Sequence, residues 1–151
     1  MTTLPTDPGT PSGTAAATPP PPQVWPTLRA RDARGLIDFL VAAFGFVEVV
    51  AHPLEGGGIA HAQLAWPPGG GVMLGSVRDD PDDVCAVPPG SFGAYAVTDD
   101  VDAVHARAVA AGARIVTAPR ETEYGSREFA ALDPEGNRWS FGTYRGEPAR
   151  P

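Results

Sequence analysis

Apolar and polar positions fall along this chain in two blocks of the same pattern, separated by an acidic connection. In the first block Leu36, Phe39, Leu40 and Ala43 recur at helical spacing and predict a helix over about 33–44. A short apolar run at 24–30 precedes it, and runs of strand character follow at 46–51, 58–66 and 71–76. The second block repeats the order: an apolar run at 92–98, a helix over about 100–111, then strands over about 113–117, 127–132 and 138–144. Asp32 and Asp99 stand where a side chain can accept from the first free amides of a helix. Gly45 and Gly112 stand where a left-handed residue ends one.

The two blocks align at a shift of 67 residues without gaps. Asp32 falls on Asp99, Gly45 on Gly112, Val49 on Val116, Pro67 on Pro134, Gly69 on Gly136 and Gly75 on Gly142. The glycine and proline matches weigh most, because each marks a backbone demand that other residues meet poorly. The implied class is α+β: two tandem βαβββ modules, about 24–76 and 92–144, forming a curled mixed sheet. An acidic linker, 77–91, joins them within one domain of 24–146.

Composition changes this picture at the N-terminus. Residues 1–23 hold seven of the chain's 18 prolines and one charged side chain, Asp7. Such a segment cannot bury enough apolar area to offset its chain entropy, so it reads as a disordered Pro-rich tail. The chain has no lysine; its 11 basic residues are all arginine, against 18 acids, for a net charge of -7. That balance argues against a nucleic acid or an anionic membrane as partner. No apolar run approaches the roughly 18 residues of a membrane span. The first residues show no basic segment followed by an apolar one, so the expected location is cytoplasmic. A single cysteine, Cys85, excludes an intramolecular disulfide and has no basic neighbour to activate it. Gly56–Gly58 lacks the lysine and hydroxyl residue of a phosphate-binding loop. Asp79, Asp80, Asp82 and Asp83 are followed by Val84 and Gly90 where a calcium loop needs glycine and glutamate.

The repeated unit, the stretch Tyr124-Gly125-Ser126-Arg127-Glu128-Phe129 and the following Asp133-Pro134-Glu135-Gly136-Asn137-Arg138-Trp139 resemble the vicinal oxygen chelate superfamily. This superfamily includes glyoxalase I, extradiol dioxygenases and bleomycin-resistance proteins. His61-Ala62-Gln63-Leu64 and Val72-Met73-Leu74-Gly75 resemble the first module's third and fourth strands. The resemblance implies a metal site built from the first and fourth strands of both modules. Those positions fall on Trp25 or Thr27, on Ala94 or Phe92, on Met73 and on Ser140. None is a usual ligand for a divalent ion, so no metal and no cofactor is expected.

The resemblance then favours the bleomycin-resistance branch: a protein that binds a small molecule, such as an antibiotic or apolar metabolite, without a metal. Trp25, Met73 and Phe92 would supply apolar walls, and Gln63, Tyr124, Arg127 and Ser140 polar orientation. His61 with Glu128 forms the alternative, an enzyme of glyoxalase-like lyase, isomerase or dioxygenase type. A fold kept only for assembly is a third reading. Family resemblance also implies a homodimer, in which two chains close each other's clefts. His52 reads as a loop residue beside the glycines, and His105 as part of a solvated helix face.

Overall fold

The computed structural model describes residues 21–83 and 87–150. The tail 1–20 and Cys85 lie outside the described residues. The first module runs β1 (Thr27–Ala30), α1 (Ala33–Phe39), β2 (Val47–Pro53), β3 (Ile59–Ala65) and β4 (Gly71–Ser76). The second runs β5 (Gly93–Val97), α2 (Val101–Ala110), β6 (Arg114–Glu121), β7 (Arg127–Leu132) and β8 (Arg138–Gly142). The two βαβββ modules are therefore present, and the fold is α+β.

Each module closes its own four-stranded mixed sheet, in the orders β1-β4-β3-β2 and β5-β8-β7-β6. Among the described residues no ladder joins the two sheets, where a single curled sheet was expected. In each, the first strand runs parallel to the fourth, and the helix makes the crossover. β6 extends to Glu121, beyond the expected end near 117, even though it contains Pro119. It is an edge strand, and a proline costs a ladder bond only on a side that has a neighbour.

The ungapped repeat needs one correction. Thr27 sits beside Met73, and Tyr95 beside Ser140, so the first strands are related by 68 residues and the fourth strands by 67. The helix caps agree. Asp32 accepts from the Gly35 amide at 2.9 Å, and the matching cap is Asp100, not Asp99, accepting from Ala103 at 2.9 Å. The first module thus holds one extra residue between its cap and its terminal glycine. A π-helical turn over Leu40–Phe44 absorbs it: the amide of Gly45 reaches the Leu40 carbonyl, five residues back, at 3.1 Å. Gly45 then leaves the helix at φ 88°, a left-handed conformation that only glycine adopts freely.

That widened turn meets the second module. Arg107 of α2 donates from Nε to the Ala42 carbonyl at 2.8 Å and from Nη2 to the Val41 carbonyl at 2.9 Å. Phe44 packs on Trp139 and Phe141, and Phe46 on Trp66 and Trp139. The Trp66 indole donates to the Val97 carbonyl at 2.8 Å. Glu135, in the β7–β8 turn, accepts from the Asp32 amide at 2.8 Å. One core therefore runs through both modules, from Leu28, Leu36, Ile37 and Leu64 to Phe129, Trp139 and Phe141.

Strand alternation decides which face stays free. Leu28, Ala30, Ala62, Leu64, Val72 and Leu74 point into the core, so Thr27, Met73 and Gln63 share the opposite face of the first sheet. Phe129, Trp139 and Phe141 point into the core of the second, leaving Tyr95, Ser140 and Ala130 opposite.

Candidate functional site

The free face of the second sheet ends in a pocket of about 750 Å³. Tyr95, Val97, Tyr124, Glu128 and Tyr144 wall it, with Arg145, Gly146 and Glu147 at its C-terminal side. Three elements supply the side chains. β5 presents Tyr95, β7 presents Glu128, and the tight β6–β7 turn carries Tyr124 at its tip. That turn is pinned from within: Thr122 Oγ1 accepts from the Ser126 amide at 2.9 Å and donates to its carbonyl at 3.0 Å.

The Tyr95 hydroxyl donates to Glu128 Oε1 at 2.8 Å and accepts from the Tyr144 amide at 3.2 Å. It also lies 3.3 Å from Ser126 Oγ, which is 3.3 Å from Thr143 Oγ1. The pair sits directly over Gly142 of β8, the residue between Val97 and Glu128 in the ladder. A Cβ on Gly142 would strike the Tyr95 hydroxyl and lie 2.7 Å from Glu128 Cγ. Gly75, the repeat equivalent, makes the same kind of room in the first sheet, where a Cβ would lie 2.6 Å from Arg29 Nη1.

Partial desolvation pushes the Glu128 carboxyl up, but hydrogen bonds from Tyr124, Tyr95 and Ser126 and the charge of Arg120 outweigh it. The net shift is downward, so Glu128 is an anion at neutral pH. Burial raises the Tyr95 hydroxyl, and the hydrogen bond to Glu128 is the first cause raising that of Tyr124. Both hydroxyls stay protonated and act as donors to the carboxylate.

The candidate residues divide between different places. Tyr124 and Glu128 line this pocket. Ser140 lies beside Tyr95 in the ladder, on the same face but outside the lining. Met73 and His61 line a separate cavity of about 170 Å³ with Thr27, Arg29 and Arg78. Gln63 neighbours Met73 on that face, and Trp25 lies over Gly71, whose Cβ would come within 2.8 Å of its ring. His61 and Glu128 therefore belong to different pockets and do not form an acid–base pair within the chain. Phe92, partly buried, packs against the core on Trp139 at 5.3 Å and lines neither of these pockets.

Arg127 is also elsewhere. It forms a bidentate pair with Asp102, both contacts 2.8 Å, and a third contact to Glu121 at 3.1 Å, so its guanidinium ties β7 to α2 instead of facing the pocket. His52 is a strand residue of β2, opposite His61 with rings 6.3 Å apart, and not a loop residue. His105 is half-buried edge-on against Phe129, not fully solvated.

Sequence reasoning missed Tyr95 and Tyr144. The signal for Tyr95 was Asp100: counting the second module from that cap makes Tyr95 the repeat equivalent of Thr27. Tyr144 and the segment to Glu147 follow the last strand, where no periodicity marks a wall.

The resemblance implies a metal on the first and fourth strands, and the ladder register sets Thr27 beside Met73 and Tyr95 beside Ser140 on those strands. They offer a thioether and three hydroxyls, with no imidazole or carboxylate among them, and do not fit a divalent ion. Among the described residues no group of three or more His, Cys, Asp and Glu side chains is placed to hold one. No described helix is long and apolar enough to cross a membrane.

The chain is thus a tandem pair of βαβββ modules with a pocket on the free face of its second sheet. The model of the Glyoxalase/Bleomycin resistance protein/Dioxygenase superfamily matches residues 23–141, and the chain belongs to that superfamily. An uncharacterized protein of Mycobacterium bovis is 39% identical over 129 residues, which cover 80% of this chain and 82% of that one. Among solved structures, TioX from Micromonospora sp. ML1 is 30% identical with a TM-score of 0.66, covering 79% of this chain and 97% of that one. TnmS3, an antibiotic binding protein from Streptomyces sp. CB03234, is 30% identical with a TM-score of 0.59, covering 76% of this chain and 88% of that one.

Proposed function

We propose that this protein binds a small organic molecule without a metal, in the pocket walled by Tyr95, Tyr124 and Tyr144. One observation carries the reading: three aromatic rings and one carboxylate held in place by hydroxyl donors converge on about 750 Å³, the size range of small-molecule sites. The likeness to an antibiotic binding protein supports an antibiotic or a similar metabolite as the ligand; on this reading the protein sequesters it in the cytoplasm rather than converting it. Ser140 and Gln63 serve as polar positions on the two free faces.

The same reading includes a homodimer. Exposed Val47, Val49, Tyr95, Val116 and Tyr144 leave apolar area on or near the free faces of both sheets, and a second chain would cover it. The free face of one module's sheet, with Trp25, Met73 and Gln63, would then close over the other module's pocket. Sedimentation velocity should give twice the 15.6 kDa chain mass; a monomer at all concentrations refutes this part.

A thermal-shift screen of planar aromatic antibiotics and catechols tests the main reading. A ligand at about 100 times its Kd stabilises the folded chain by about 2.7 kcal/mol, a readable rise in Tm. Tyr124→Ala, at the exposed tip of the turn, should weaken that ligand while leaving the unliganded Tm nearly unchanged. No shift with any compound counts against sequestration.

A further inference from the structure

We infer that the tyrosine-walled pocket takes an organic cation, a ligand carrying a protonated or quaternary amine beside an apolar body. This rests on reading the pocket as a small-molecule site and goes further by fixing the ligand's charge.

The carboxylate decides it. Glu128 lines the pocket beside the rings of Tyr95 and Tyr124, with Tyr144 on the C-terminal segment. A neutral apolar ligand seated there would strip water from an anion and return nothing for it, which is costly. A cation restores the lost solvation, and the ring faces add to it, because the π-cloud of tyrosine is negative. Tyr124 and Tyr144 already stand edge to face, with centroids 5.9 Å apart, so their rings present differently oriented surfaces.

The remaining charges agree. Glu147 adds a second carboxylate to the lining. Arg145 is the one cation among the lining residues, and its Nη2 is drawn to Asp99 Oδ1 at 2.5 Å. Arg120 faces Glu128 across the β6–β7 ladder and acts on the carboxylate from the edge strand. Arg127, the residue best suited by type to hold an anion, is committed to Asp102 and Glu121. An anionic ligand would find one guanidinium in the lining, that of Arg145, already paired with Asp99, whereas a cation finds two carboxylates.

The test compares three probes on the unaltered chain by amide-resolved NMR titration at constant ionic strength: benzyltrimethylammonium, benzyl alcohol and benzoate. Benzyltrimethylammonium should shift the amides of Tyr95, Glu128 and Tyr144 and bind at least about tenfold tighter than either other probe. Glu128→Gln, which keeps the shape and one acceptor oxygen but removes the charge, should remove about that factor while its spectrum stays dispersed. Benzyl alcohol or benzoate binding as well as the cation at those amides overturns the inference and leaves the small-molecule reading standing. Unchanged cation affinity in Glu128→Gln overturns it too. Silence toward all three probes overturns it as well; if the antibiotic screen is also blank, the broader reading falls with it.

Discussion

Replacing Gly142 by alanine adds one carbon where the Tyr95 hydroxyl already lies, so the Tyr95–Glu128 pair must move. Overpacking of this kind costs about 1–3 kcal/mol, and the lowered Tm should come with loss of ligand-induced stabilisation. Tyr95→Phe is the gentler change. It removes the donor to Glu128 and the acceptor for the Tyr144 amide, for about 1 kcal/mol, while keeping the ring as a wall. A Tyr95→Phe chain as stable as the original would show that this hydroxyl does not organise the pocket. At this scale the sequence revealed residue type better than placement. Gly142 stood out as a repeat match, and Tyr124 and Glu128 as a motif. Tyr95 did not, because a one-residue error in register turns a strand residue to the opposite face.

At the scale of elements, Arg127 and Asp102 behave as a tether between β7 and α2. The Arg127 hydrogen bond is the first cause holding the Asp102 carboxyl below its ordinary range, just as Arg34 does for Glu48. Both groups have folded pKa values below their unfolded ones. Each therefore stabilises the fold above the carboxylate range, and that contribution is lost as pH falls through the folded values. Tm should decline on acidification from about pH 7 to about pH 3, and Asp102→Asn should reduce part of the decline. Asp102 is exposed and Arg127 only partly covered, so Arg127→Ala should lower Tm only slightly, and less in high salt. A larger, salt-independent loss would mean that Arg127 is doing something other than pairing. Helices, strands and the Asp32 cap were legible here because their periodicity and turn residues are local; the second cap fell one residue off, on Asp100 rather than Asp99. The π turn was not, since Leu40–Phe44 keeps an ordinary apolar spacing and only the count from Asp32 to Gly45 betrays it. The extension of β6 past Pro119 was equally hidden, because it depends on which edge of the sheet faces solvent.

For the whole molecule, the tandem architecture could be read from the repeat, but its split into two sheets could not, because the same strands also suit one continuous sheet. That split distributes the sequence-derived site over two faces, with Trp25, Gln63, Met73 and His61 on one and Tyr124, Glu128 and Ser140 on the other. The widened helical turn has a further consequence, for the way the protein comes apart. Its extra residue is a difference between otherwise matching modules, and the carbonyls of Val41 and Ala42 there receive Arg107 from the other half. With Trp66 reaching Val97 and Glu135 reaching Asp32, neither half can open without exposing polar groups of the other. The two modules should therefore melt as a single cooperative unit rather than in sequence. Urea denaturation followed by tryptophan fluorescence and by far-ultraviolet circular dichroism should give coincident transitions. Arg107→Ala, which removes two charge-assisted contacts, should lower the unfolding free energy by about 1–3 kcal/mol, moving the common midpoint down, or separate the curves. The residue that makes the two modules unequal would then be the one that joins them into a single folding unit.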